Sequence, residues 1–209
     1  MSGVQQAVFQ NQRSFGLKIG DAYEGGFFAG QISTAGNGIA DYNLVVGPVS
    51  SAQSLLQWKT TLTTTAGTNS VINGPANSSQ MNNASHPAGQ FCEGLTVGGF
   101  TDWYMPAKDE LEVCYYNLKP DTTSNVTSSG ANPYSVPARA SNYTTGNPAR
   151  TSAAAFTSTE AFTANMYWAS TQGNTISAWF QYFSNGTQRY TFRYKNESHN
   201  VRAIRRVAV

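Results

Sequence analysis

The chain has 209 residues, a formal net charge of +2, 11% charged side chains and 12% aromatic ones. That charge is too small to draw nucleic acid or an anionic membrane by itself, and the aromatic content excludes a disordered chain. The length suits one domain, expected over residues 15–209, that buries a core without disulfide staples, and the wealth of Ser, Thr, Asn, Gln and Gly fits a β- or loop-rich extracellular or virion protein better than a cytosolic metabolic enzyme.

Residues 1–14 are polar and read as a flexible or assembly arm; the opening MSGVQQAVFQNQRSFG has no basic region followed by an apolar run, so no signal peptide is expected. Strands are predicted at FGLKIG (15–20), GGFFAGQI (25–32) and YNLVVGPV (42–49), each bounded by glycine or proline. The segment SSAQSLLQWKT (50–60) is either a short helix or an extended edge, and residues 60–80 read as loop. Pro87 suits the first turn of a short helix over residues 85–95, where its missing N–H costs nothing. A second helix is predicted over 107–117, followed by an irregular excursion over 120–150 of the kind that often carries function. From residue 166 the runs MYWAS, ISAWFQYF, RYTFRY and NVRAIRRVAV, separated by QGNT, SNGT and KNESH, predict a terminal antiparallel meander. The fold class is therefore α+β rather than alternating βαβ. No run approaches the ~18 apolar residues of a membrane span. The Asn-X-Ser/Thr triplets at Asn77, Asn83, Asn125, Asn142, Asn185 and Asn196 read as loop composition.

Chemistry-bearing motifs are scarce. Cys92 and Cys114 form no CxxC and sit among apolar residues, so buried free thiols are expected. His86 and His199 belong to no metal-ligand spacing, and no metal or cofactor is predicted. The acidic run Asp102, Asp109, Glu110, Glu112 is the one candidate active site. Asp109 and Glu110, however, suit the first turn of the second helix, where carboxylates meet the positive end of the dipole. They point about 100° apart, unlike a glycosidase pair. Leu111, Cys114, Tyr115 and Leu118 make an i, i+3, i+4, i+7 core stripe that leaves Glu112 toward solvent. Asp102 with Glu110 is the remaining convergent pair, and no catalytic residue is assigned. Arg189, Arg193, Lys195, Arg202, Arg205 and Arg206 crowd the end of the chain, either as a phosphate-facing surface or, the favoured reading, paired inside the fold.

The ordered series CEGLTVGGFTDWYMPAKDELEV, YYNLKP, NPYSVP, EAF, YWAST, AWFQYFSNG and VRAIRR resembles a family of C-type-lectin-like domains of unassigned function. Such domains occur in bacteriophage virion proteins and in bacterial surface proteins, including collagen-like adhesins; the resemblance spans roughly residues 23–207. It implies two helices flanking a twisted antiparallel sheet, a long loop region, and fold-defining roles for Trp103, Pro106, Glu110, Leu111, Trp168 and Trp179. Ala107 stands where that family usually places a Ser or Thr cap, the Glu-Pro-Asn and Trp-Asn-Asp calcium motifs of sugar-binding lectins are absent, and Cys92 and Cys114 do not match the cysteine pair of formylglycine-generating enzymes. Period two in AWFQYF places Trp179, Gln181 and Phe183 on one face; with that face inward, Phe180 and Tyr182 are left for contact. The expected contact set is Phe180, Tyr182, Asn185, Arg189, Tyr190 and Tyr194. The expected role is a non-enzymatic, homo-oligomeric virion surface protein: a receptor-binding tail module or a head decoration. Its partners would be other virion proteins and a host glycan or protein, with no nucleic acid and no membrane insertion. The alternatives are a cement protein without host ligand and a glycan-active enzyme.

Overall fold

A computed structural model describes residues 16–209; the arm at 1–14 and Phe15 lie outside the described residues. Ten strands, β1 (Ala22–Tyr23), β2 (Gly26–Ile32), β3 (Tyr42–Val46), β4 (Gln53–Gln57), β5 (Ser135–Val136), β6 (Met166–Gln172), β7 (Ala178–Tyr182), β8 (Gln188–Arg189), β9 (Ser198–Arg202) and β10 (Ile204–Ala208), accompany four helices, α1 (Val49–Ala52), α2 (Gly74–Ser79), α3 (Pro87–Glu93) and α4 (Lys108–Leu118). One five-stranded sheet runs β1-β2-β3-β10, with β5 also paired to β2; the second runs β4-β9-β6-β7-β8. The fold is α+β, as the order of sequence patterns predicts.

The end of the chain departs from a plain meander. NVRAIRRVAV splits at Ala203, giving β9 to the second sheet and β10 to the first. Within the second sheet β9 lies between β4 and β6, antiparallel to the former and parallel to the latter at Tyr167↔Asn200. The switch is pinned where the Ala203 N–H donates to the Ala52 carbonyl (2.9 Å) and the Ala203 carbonyl accepts from Gly47 N–H (3.0 Å). Residues 50–60 satisfy both readings in turn: α1 ends at Ala52 and β4 begins at Gln53.

Three expectations are corrected locally. Residues 16–20 form a turn rather than a strand, because Gly16 and Gly20 take φ of +127° and +86° and the Asp21 carboxylate accepts the Lys18 N–H. Residues 60–80 contain α2, opened by Asn73, whose side chain accepts the Ala76 N–H (3.2 Å), and by Pro75 in the first turn. RYTFRY is not a strand: pairing stops at Arg189, and Phe192 takes a left-handed φ of +69° that no strand accommodates.

The core is two clusters on the two faces of the second sheet. On one side Leu111, Cys114, Tyr115 and Leu118 of α4 meet Tyr167, Ala169 and Phe183. On the other, Cys92 of α3 joins Trp58, Trp103, Met166, Trp168 and Phe180. A sheet covered on both faces needs apolar residues at consecutive positions, which is why β6 is buried from Met166 through Thr171. Both cysteines are buried and unbridged. Among the described residues no helix is long and apolar enough to cross a membrane.

The entry to α4 shows how Ala107 is tolerated as a cap. The Glu110 carboxylate accepts the Ala107 N–H (2.8 Å), half of a capping box. The other half comes from distant elements: Lys108 N–H donates to Thr171 Oγ1 (3.0 Å) and Asp109 N–H to the Val71 carbonyl (2.8 Å). The exposed donors of the helix start are therefore satisfied by tertiary contacts.

Candidate functional site

The acidic run is consumed by structure. Glu110, fully buried, accepts from Tyr104 OH (2.6 Å) and Arg206 Nε (2.8 Å). Asp102 takes Arg205 in a two-point pair (2.7 and 2.9 Å). Arg205 and Arg206 are successive residues of β10 and project to opposite faces, each engaging one carboxylate. In the cleft lined by Glu93, Asp102, Tyr104 and Arg206, Asp102 and Arg206 are thus already held in ion pairs, while burial pushes the Glu93 carboxyl up.

Glu112 corrects the sequence reading most sharply: it is fully buried rather than solvent-facing. The excursion over 120–150 folds across α4 and supplies Asn132 Nδ2 (2.7 Å), Tyr143 OH (2.7 Å) and the Arg139 guanidinium to its carboxylate. Burial pushes the Glu112 carboxyl above its ordinary value, and Arg139 with the Asn132 and Tyr143 hydrogen bonds offsets only part of that rise. Arg202 likewise pairs with Glu160 (2.9 Å), so the arginines of β9 and β10 are paired inside the fold, as favoured above.

Of the expected contact set, Phe180 is lost. It is buried edge-on against Trp168, with ring centroids 6.1 Å apart, because the face opposite Trp179 and Phe183 is itself a core. Tyr182 is half-buried, its OH accepting from Arg193 (3.1 Å). The Asn185 carboxamide is turned inward to the Thr187 N–H (3.1 Å) and shapes the β7–β8 turn. Tyr190 lies against the half-buried Trp179 (centroids 4.9 Å apart), above which Lys108 Nζ stands 5.2 Å from the ring centre. Arg189 and Tyr194 remain exposed.

One exposed aromatic in this region, Phe192, lies outside the expected set. Phe192 is 80% exposed at the tip of the 190–194 loop, and an aromatic residue in the left-handed region costs roughly 1–2 kcal/mol. Tyr194 is 50% and Ile176 39% exposed, and the bond from Lys195 N–H to the Ile176 carbonyl (2.9 Å) joins the two segments that carry them. Phe192→Gly is therefore expected to leave thermal stability unchanged or raise it by up to about 1 kcal/mol in a melting experiment.

Beneath this surface lie two buried lysines. Lys195 Nζ donates to the Thr63 carbonyl (3.1 Å), Gln172 Oε1 (2.6 Å) and the Thr175 carbonyl (3.0 Å). Lys59 Nζ donates to the carbonyls of Thr63 (3.3 Å) and Thr64 (2.9 Å) and to Thr65 Oγ1 (3.0 Å). The two ammonium groups thus tie residues 59–65, 172–177 and 190–197 together through neutral oxygens, and Lys195 also stands 4.7 Å from the Trp58 ring centre. Burial without a carboxylate partner lowers both amines, Lys195 to about 8. Thr65 Oγ1 continues the chain to His86 Nε2 (2.8 Å), and His86 Nδ1 meets Asn83 Oδ1 (2.8 Å). Burial and the two lysines depress His86 to about 4, so the ring is neutral and accepts the Thr65 hydroxyl.

The arrangement is an exposed set of aromatic and aliphatic groups with Arg189, on loops fixed from below by the two lysines. Among the described residues no three His, Cys, Asp or Glu side chains gather to hold a metal. The only charged side chain between Asp41 and Glu93 is Lys59, beside Trp58, which is the one sequence signal for the brace.

Comparison with known proteins bears on the scaffold. No individually curated protein matches the chain. The profile of the Lcl C-terminal domain family matches residues 47–205, from the end of β3 to the start of β10. With that match over most of its length, the chain belongs to the Lcl C-terminal domain family, a C-type-lectin-like family.

Proposed function

We propose that this protein is a non-enzymatic component of a bacteriophage particle surface that binds a host-cell glycan or protein, as a receptor-binding tail module or a head decoration. Its contact face is the loop carrying Arg189, Tyr190, Phe192 and Tyr194, with Ile176 beside it. The observation that carries this reading is Phe192, an aromatic side chain held in solvent by unfavourable backbone on a platform braced by Lys59 and Lys195. Rigid aromatic groups give contact area at small entropic cost, and strained exposed residues concentrate at binding sites. The engagement of Glu110, Glu112 and Asp102 by arginines favours binding over glycan hydrolysis. Labelled protein is expected to adsorb saturably to host cells and to compete with particles for attachment.

A cement role without host ligand is the second reading. It is favoured by exposed Ile39 and Val209, drawn to one edge of the first sheet by the bond from Val209 N–H to the Asp41 carbonyl (3.1 Å). Absence of adsorption, with particle density placing the chain between capsid subunits, would establish that reading and overturn receptor binding.

A further inference from the structure

β4 is an edge strand, at the end of the order β4-β9-β6-β7-β8. Natural sheets blunt such edges with lysine, proline, bulges or a covering element, since a free row of N–H and C=O groups invites another strand. β4 carries neither Lys nor Pro. Its sequence is Gln-Ser-Leu-Leu-Gln, and its central Leu55 is 61% exposed.

The strand is also complementary to itself. Antiparallel pairing of two copies about a two-fold axis at Leu55 places Leu55 opposite Leu55 and each Gln53 opposite the other copy's Gln57. These residues share one face, because side chains alternate along a strand. The two glutamines have opposite unused valences. Gln53 spends its oxygen on the Tyr167 hydroxyl (3.0 Å), leaving its NH2 group available. Gln57 spends its NH2 group on the Asn196 carbonyl (2.7 Å), leaving its oxygen available. Directly opposed residues have Cβ atoms about 4.5–5.5 Å apart, within reach of a Gln53-to-Gln57 amide hydrogen bond on each side of the leucine contact.

We propose that β4 is a homodimer interface, pairing antiparallel with β4 of a second copy to join two five-stranded sheets into one. The interface is isologous and closes at two copies, which would double whatever contact surface each copy presents. It is small beside a standard interface of about 1,600 Å², so the dimer is expected to form reversibly with protein concentration.

The test uses the full chain in sedimentation velocity across a hundredfold concentration range, with three variants. The parent is expected to shift from monomer toward dimer. Leu55→Lys, which sets two ammonium groups against each other on the axis, is expected to stay monomeric at every concentration with an unchanged melting temperature. Leu55→Cys is expected to cross-link into a covalent dimer under mild copper-phenanthroline oxidation, two thiols losing their protons and two electrons to the oxidant to form the disulfide. Ile39→Cys, exposed in the loop between β2 and β3, is the control and is expected to cross-link at least tenfold more slowly. A parent that is monomeric throughout, a dimer that survives Leu55→Lys, a trimer, or equal cross-linking at positions 39 and 55 would each overturn the proposal.

Discussion

Glu112→Ala is expected to destabilise the protein by about 3–5 kcal/mol, the largest effect of any single polar substitution described here. The carboxylate is fully buried and holds Arg139, Asn132 and Tyr143 at once. Removing it strands a guanidinium and two neutral donors in a site with little water, and breaking a buried ion pair from one side typically costs that much. Gln181, which donates to Tyr143 OH (3.1 Å), would lose its orientation with them. Glu112→Gln keeps the shape and acceptor oxygen and is expected to cost roughly 1–2 kcal/mol. Chemical denaturation of both variants checks the ordering. Equal, small losses would show that the excursion over 120–150 does not depend on this carboxylate.

The second large effect is acid sensitivity carried by His86. Its folded value is about 4, against about 6.5 for an unfolded chain. Between those values the unfolded state binds a proton that the native state does not, so stability falls as pH falls from 6.5 to 4. The slope is about 1.4 kcal/mol per pH unit, and the full loss approaches roughly 3 kcal/mol. Protonation would make His86 Nε2 a donor toward Thr65 Oγ1, which already receives Lys59 Nζ, placing two cations on one hydroxyl. Glu110 and Glu112, raised by burial, tilt the stability curve the opposite way over an overlapping range. The difference between parent and His86→Gln isolates the histidine: that difference should shift by about 3 kcal/mol between pH 7 and 4 in urea titrations. A pH-independent difference would place no protonation-sensitive contact at His86. Lys195 acts at the other end of the scale. With a folded value of about 8 and an unfolded one near 10.5, its burial penalty is complete below pH 8 and is relieved as pH rises toward 10.5.

The legible parts of this fold were those written in local periodicity. The stripe Leu111, Cys114, Tyr115, Leu118 predicts α4 and its buried face, and Pro87 predicts the start of α3. Glu110 at the third helical position is readable from spacing, although Thr171 and Val71, which complete the cap, lie in distant elements. The misreadings came from long-range covering. Nothing in AWFQYF says that both faces of β7 are buried, so Phe180 passes for a surface residue. Nothing around Glu112 announces that Asn132, Arg139 and Tyr143 fold over it. Around the 190–194 loop, Arg189 and Tyr194 are exposed and Tyr190 lies half-buried against Trp179, whereas the regular alternation of RYTFRY hides the left-handed turn that exposes Phe192.

Adsorption of the purified protein to host cells tests the proposed role of the 190–194 loop most directly. Phe192→Ser with Tyr194→Ser, both exposed and outside either core cluster, should leave the melting temperature within a few degrees of the parent. The pair should weaken cell binding at least tenfold, while Ile39→Ser should bind like the parent. Undiminished adsorption by the folded Phe192→Ser, Tyr194→Ser protein would contradict the assignment of this loop as the contact face.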